Sequence, residues 1–475
     1  MLRTGDPPVM PPLMKSIRPF NIPCCLRRLC LFLVLPLAFA QGAEPAAASR
    51  PNVLLIIDDD LNDLVGCMTP EVGTKTPNID RLASQGTLFV NAHCAAPVCN
   101  PSRTAMLTGL RPSTTGIYDN LQVPSPPDHI VFKTVLLPGH FKNNGYRVIG
   151  AGKIPGHSTG AYKWDETFIP KSKGRDKGGN NHTWGIAAEA KEDLPDWQMA
   201  DWAAEQLAKP QMKPLFLAIG FVKPHLPWTV PKEYFDRFPS GSVKPVPLKA
   251  DDTVDLPAAA HGETSRAVSR LIEKRDEAHT AYFAAMAFAD ECIGRVIAAL
   301  ERSPIRDNTI IVLCGDNGFQ IGEKNSFGKG RLWEESTHVP LMIKLPGSSK
   351  TQCCTQPVSL LDVYPTLIDI CALPAISGLE GTSLTPLLKN PTAEWKSAAV
   401  TTMGEGNHTV RTERWRYIRY AEGSEELYNH ESDPHEWTNL ASNPEFESIK
   451  TELRRHLPAN NASRNPAQSK ARGDE

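Results

Sequence analysis

Cys99, Pro101, Ser102 and Arg103 stand within one five-residue stretch, Cys99-Asn-Pro-Ser-Arg103. Upstream, the aliphatic run "NVLLIID" ends in Asp58, Asp59 and Asp60, and a second run, "NTIIVLCG", ends in Asp316 and Asn317. Carboxylates that follow a buried strand are costly unless they meet a cation or hydrogen-bond donors. A single such aspartate ordinarily caps the next helix or faces water. Two apolar runs that both end in oxygen donors weigh against that. Asp59, Asp60, Asp316 and Asn317 offer only oxygen, which suits Ca2+ or Mg2+ and not zinc. Taken alone, Cys99 stays open between four readings. It is a small buried hydrophobe, half of a tight disulfide with Cys94, a zinc ligand with His93 and Cys94 at irregular spacing, or a nucleophile.

The elements that must position these groups read as an α/β chain. "NVLLIID", without alternation, predicts a strand buried on both faces. "TPNIDRLASQG" predicts a helix opening near Thr76–Pro77 and stopping at Gly86, with a short strand after it. "PSRTAMLTGL" predicts a helix with proline in its first turn. "LPGHFKNNGYRVIGAGK" predicts a helix, a glycine stop and a strand, and "PLFLAIGFVKPH" a strand opening into a Pro-rich loop. "DEAHTAYFAAMAFADECIGRVIAALE" has apolar residues at helical spacing. "HVPLMIKLPG" predicts a further strand and "VSLLDVYPTLIDICAL" a further helix. Strands alternating with helices imply a mainly parallel sheet, with functional groups gathered at the carboxyl ends of its strands.

Length and composition agree. The 475 residues, 41% hydrophobic and 22% charged, suit one large domain or one large and one small. A net charge of −2 gives no basic field for nucleic acid or an anionic membrane. Residues 1–41, with basic residues, an apolar run from Leu29 to Ala40 and "AFA" before Gln41, predict a secretory signal peptide. The mature protein is expected to be exported, with no membrane contact once the leader is removed: secreted or periplasmic, or lysosomal in a eukaryote. The sequons at Asn181, Asn407 and Asn461 are few, which favours a bacterial exported protein. The organisation predicted is a catalytic domain over 50–394, a smaller subdomain over 395–457 (a hairpin, a turn and a polar helix), and a polar, disordered tail over 458–475. The charged, Pro-rich region 232–265 reads as a surface insertion.

The stretch from Cys99 to Gly109, "CNPSRTAMLTG", resembles the C-x-P-S-R-x-x-x-x-T-G signature of type I sulfatases, in which the cysteine is oxidised after translation to formylglycine. "PNVLLIIDDDLNDLVGC", "TPNIDRLASQGTLFVNAHCAAPVC", "GDNGFQIGEKNSFGKG" and "THVPLMIKLPG" resemble further segments of the family, so the likeness spans about 50 to 440. "GFVKPHLPW", "AYFAAMAFADECIGRVIAALE" and "THVPL" look most like iduronate-2-sulfatase and its bacterial relatives.

That resemblance implies an alkaline-phosphatase-like α/β sandwich, with a large mainly parallel sheet flanked by helices and a smaller C-terminal α+β subdomain. It implies sulfate-ester hydrolysis on a sulfated sugar, with a formylglycine-generating maturation enzyme as partner. The implied ligands of a divalent cation, calcium before magnesium, are Asp59, Asp60, Asp316, Asn317 and modified Cys99. Asp58 is left as a strand-end residue. Arg103 would hold the aldehyde hydrate, Lys329 would bind the sulfate, and Lys153 matches the family's other active-site lysine. His225 would contact the sulfate and protonate the leaving oxygen.

The chemistry implied is attack on sulfur by one hydroxyl of a gem-diol, departure of the alcohol, and elimination of sulfate as a base takes the proton of the second hydroxyl. Serine has no second hydroxyl and could not regenerate this way. His157 is the candidate base. It departs from the family's Lys-x-x-His spacing, because Lys153-Ile-Pro-Gly-His157 places it one residue late, and Pro155 and Gly156 are expected to remake the turn. His140 is expected to face solvent on its helix. His338 is read as lining the pocket or as a strand-start histidine. Two rivals follow from the same fold: a phosphomonoester or phosphonate hydrolase, and a non-catalytic, calcium-bound glycan-binding homologue.

Overall fold

All seven side chains of the run Asn52–Asp58 are buried, as a strand without a polar face requires. The computed structural model describes residues 50–122, 128–156, 164–171, 184–239, 241–244, 246–261 and 266–465. The leader, His157 and Asn181 lie outside the described residues. The main sheet contains β1 (Asn52–Asp58), β2 (Thr87–Phe89), β3 (Arg147–Gly152), β4 (Glu166–Phe168), β5 (Leu215–Phe221), β6 (Thr309–Gly315), β7 (Leu341–Lys344) and β8 (Gln352–Cys354). Their order is β8-β2-β7-β6-β1-β5-β3-β4. Only β7 runs against its neighbours; the other pairings are parallel. The sheet is thus mainly parallel, with one reversed strand.

Helices cover both faces: α1 (Pro77–Ala83), α2 (Cys99–Thr108), α3 (Pro195–Ala208), α4 (Arg275–Glu301) and α5 (Val363–Ile370). Alternate residues of β1 feed opposite layers. Leu54 and Ile56 pack with Met199 and Ala203 of α3 and Phe288 and Ile293 of α4. Val53, Leu55 and Ile57 pack with Met106 and Leu107 of α2 and Val363 and Leu367 of α5. The register aligns Asp58 with both Phe221 and Gly315, and Gly152 with Gly220. The segments that follow β1, β3, β5 and β6 therefore leave the sheet at one edge, where an α/β fold builds its site.

C-terminal to this lies a second sheet, β9 (Ala399–Thr402), β10 (His408–Arg411), β11 (Trp415–Arg419) and β12 (Glu425–Asn429), antiparallel and in chain order. Ile418, Tyr420 and Tyr428 pack against Leu332 and Trp333. Val410, Tyr417 and Leu427 pack with Leu453 of α6 (Glu447–Arg454). The predicted hairpin is β11–β12. The expectation missed β9 and β10, and the polar helix of the subdomain is α6. Asp433 accepts from the backbone of Trp437 and Thr438 and keeps residues 433–438 as a turn.

Two further expectations fail. The start of the polar tail is ordered by docking: Ala462 N–H donates to Ser113 O (2.7 Å), Asn465 N–H to Gly116 O (3.0 Å) and Tyr118 Oη to Ala462 O (2.6 Å). His140 does not face solvent. It is buried on Leu137–Asn143 with its ring near Tyr364, because that helix turns His140 inward with Leu137 and Phe141.

Candidate active site

Cys99 is the first residue of α2, and all ten residues of that helix are buried. The polar ones must therefore find partners. Ser102 Oγ donates to Asp316 O, and Arg103 Nε donates to Asp316 Oδ2 at 2.7 Å. Asn100 Nδ2 donates to the carbonyls of Asp119 and Gln122. The "NPSR" polarity thus points inward, and the helix N-terminus presents its positive end beside Cys99. Gly109, at φ 70°, closes the helix in the left-handed conformation that glycine accepts without strain.

The Cys99 thiol donates to Asp59 Oδ1 at 3.0 Å and receives Lys329 Nζ at 2.7 Å. Lys329 Nζ also donates to Asp60 Oδ1 at 2.6 Å. Lys153, immediately after β3, pairs with Asp59 Oδ2. Arg103 Nη2 lies 3.9 Å from Asp59 Oδ1. Three buried carboxylates, Asp59, Asp60 and Asp316, therefore meet three cations, Lys153, Lys329 and Arg103. Gly220 lets Arg103 in: a Cβ there would stand 3.0 Å from Arg103 Nη1 and 2.7 Å from Ile154 N.

The backbone supports the cluster. Asp60 has φ 62°, a conformation costing a non-glycine residue about 1–3 kcal/mol. Two bonds hold it there: Asp60 N–H donates to Asp316 Oδ1 (3.1 Å), and Tyr282 Oη donates to Asp60 O (2.8 Å). Burial works against ionisation of Asp59, yet Lys153, His225, Lys329 and Arg103 outweigh it and hold that carboxyl well below the usual range. Burial instead pushes Asp60 and Asp316 upward, opposed by Lys329 and Arg103 respectively. Burial, then Asp59, also raises the Cys99 thiol far above its ordinary value. Held as a thiol, Cys99 lacks the thiolate that nucleophilic attack by sulfur needs.

The donor set fits a hard cation. Ligand atoms of Asp59, Asp60, Cys99 and Asp316 lie within 4.8 Å of one another. Asn317 donates through Nδ2 to Asp60 Oδ1 at 2.7 Å, while its buried Oδ1 has no partner among the described residues. A buried amide oxygen left over beside three carboxylates is what an oxygen-coordinated cation would satisfy.

His225 joins from the loop after β5. Its Nδ1 lies 2.5 Å from Leu226 O, and its Nε2 lies 3.8 Å from Asp60 Oδ2. Donation from Nδ1 leaves Nε2 as the free nitrogen facing the site. Burial, resisted by Asp59, draws its pKa down to about 3.

Among the described residues all eight cysteines are free, so no Cys94–Cys99 disulfide forms. His93 is held by Asn91 and Thr337, and Cys94 by Ser336, so no zinc set assembles there. His338 precedes β7, contacts Val90 O and Asp63 and stacks on His93; it is a strand-start histidine. Asp58 is buried, and among the described residues neither carboxylate oxygen is hydrogen-bonded.

Three supporting residues were not anticipated: Tyr282 on α4, Asp196 on α3, and Lys223. Buried Asp196 accepts from the backbone of Val222 and Lys223 (2.9 and 2.8 Å), and Lys223 Nζ donates to Pro227 O, so both fix the His225 loop. The "KPH" spacing hinted at Lys223. Tyr282 and Asp196 carry no local signal, because their partners are remote in sequence.

A family model described as Sulfatase matches residues 51–372, and one described as N-sulphoglucosamine sulphohydrolase, C-terminal, matches residues 322–463. The chain belongs to the sulfatase family and is a sulfuric ester hydrolase on an alkaline-phosphatase-like fold. It is 37% identical over 446 residues to a sulfatase of Formosa agariphila, covering 87% of each chain. It is 30% identical to human iduronate 2-sulfatase over 79% of this chain and 77% of that one. In structure it resembles a phosphonate monoester hydrolase of Agrobacterium radiobacter (TM-score 0.72, 23% identity, 88% and 100% covered), a likeness of fold.

Proposed function

We propose that the chain hydrolyses sulfate esters of a sulfated sugar through formylglycine made from Cys99, with calcium held by Asp59, Asp60, Asp316, Asn317 and modified Cys99. The observation that carries this is the position of Cys99, on the N-terminus of α2 between Asp59 and Lys329. The sugar class is supported by the likeness to iduronate 2-sulfatase.

The three carboxylates and three cations sum to zero, so a bound dication leaves the site positive and suited to an anionic ester. That cation would polarise a sulfate oxygen and orient the nucleophile. Modified Cys99 supplies a gem-diol oxygen as that nucleophile. Arg103, locked by Asp316, holds the hydrate. Lys153 and Lys329 neutralise charge on the sulfate as it is transferred. His225 Nε2 faces the leaving oxygen, and its protonation depends on the charge the substrate brings. His157 is kept as the base for the second hydroxyl. Each acid–base role contributes about 10²–10⁴-fold.

On this reading residues 1–41 are an export signal, 50–394 the catalytic domain, 395–457 the smaller subdomain, and a formylglycine-generating enzyme the maturation partner. Among the described residues no helix is long and apolar enough to cross a membrane. The test is sulfate release from a panel of sulfated mono- and oligosaccharides. Turnover by the native protein, absent in Cys99→Ser, is expected. Full turnover in Cys99→Ser would end the proposal.

A further inference from the structure

The segment after Lys329 carries a second cation that the reaction does not use. Arg331 lies two residues beyond Lys329, so their Cα atoms are at most about 7 Å apart. Its backbone is pinned on both sides. Gly330 N–H donates to Pro97 O at 2.9 Å, two residues before Cys99, and Leu332 O accepts from Arg416 Nη1 at 3.0 Å. Leu332 and Trp333 are buried against the C-terminal sheet.

Arg331 itself is half-buried, and among the described residues its guanidinium has no carboxylate or hydrogen-bond partner. Burial draws its pKa down, opposed among the described residues by Tyr420. Its buried counterparts are treated differently: Arg103 is clamped to Asp316, and Arg411 and Arg416 to Glu334. A guanidinium partly withdrawn from water without a counter-ion loses hydration that an anionic ligand would offset.

We infer that Arg331 is a specificity-determining residue that binds a second anionic substituent of the sugar, a carboxylate or a further sulfate, beside the ester being cleaved. This rests on the sulfatase reading and adds to it the charge of the substrate. The planar fork of arginine pairs with either oxyanion through two parallel hydrogen bonds, and lysine cannot copy that.

The test is calorimetric binding to the full-length Cys99→Ser protein in calcium buffer, with and without Arg331→Gln. Three ligands are compared: a hexose monosulfate, which is a monoanion, and two dianions, a uronic acid monosulfate and a hexose disulfate. With Arg331 present, at least one dianionic ligand is expected to bind about 10- to 100-fold more tightly than the monoanion. Arg331→Gln should erase that preference and leave the monoanion within about twofold, while Arg331→Lys should restore part of it. Which dianion is preferred separates carboxylate from sulfate. No preference with Arg331 present, lack of binding included, overturns the inference, as does a preference that survives Arg331→Gln. Sulfate release by the wild-type protein is read separately. Turnover without the preference removes only this inference, and the preference without turnover removes only the functional reading.

Discussion

Lys329 Nζ touches Cys99 Sγ at 2.7 Å and Asp60 Oδ1 at 2.6 Å, so one ammonium spans the thiol and a buried carboxylate. If Lys329 neutralises charge that develops during transfer, Lys329→Met lowers kcat by at least about 10²-fold. KM should change less, and the melting temperature should stay near that of the wild type. Steady-state sulfate release alongside thermal melting checks this. A variant that melts normally and keeps wild-type kcat would remove Lys329 from the chemistry.

Three carboxylates crowd behind one thiol, and among the described residues no donor meets Asn317 Oδ1. Stripping divalent cations with a chelator is expected to abolish turnover and lower the melting temperature. Calcium should restore both, and a hundredfold excess over its Kd contributes about 2.7 kcal/mol. Unchanged melting and turnover after chelation would contradict the site.

Glu334 is the anchor between the Lys329 segment and the C-terminal sheet, paired with Arg411 Nε at 3.1 Å and with Arg416. Burial works against its ionisation, but Arg411 and Arg416 prevail and hold its carboxyl well below the usual range. A pKa depressed on folding stabilises the protein above the unfolded value, about 4.3. That stability is lost as pH falls through the folded value. Wild-type melting temperature should drop as pH falls below about 4.3, and Glu334→Gln should flatten that drop. At neutral pH the variant should be about 3–5 kcal/mol less stable, since it leaves two buried guanidiniums short of a partner. Parallel pH profiles for the two proteins would refute this role.

The docked tail supplies a smaller test. Ala462 and Asn465 bond to Ser113 and Gly116, and Gln122 Nε2 donates to Asn465 O. Ending the chain at Pro458 should cost about 1–3 kcal/mol, a few net hydrogen bonds, read by denaturant titration. No loss would mean the tail contributes no net stability.

Much of this site was legible because its signals are local. A continuous aliphatic run followed by acids marks β1 and β6, and Cys99 to Arg103 sit on one helix start. What escaped depends on partners far along the chain. Tyr282 reaches Asp60 across 222 residues, and no periodicity reports that. Apolar pattern gives a strand but not its direction, so the reversal of β7 was hidden. His140 was misjudged because its burial is decided by packing near Tyr364. Arg331 carries no local signal, and its lack of a partner among the described residues singles it out.

The most direct test of the central claim is mass spectrometry of the peptide spanning Cys99, taken from protein that releases sulfate. The expected peptide is lighter than the thiol form by the difference between CH2SH and CHO, and it reacts with a hydrazide. Active protein whose Cys99 is entirely unmodified thiol would contradict the account.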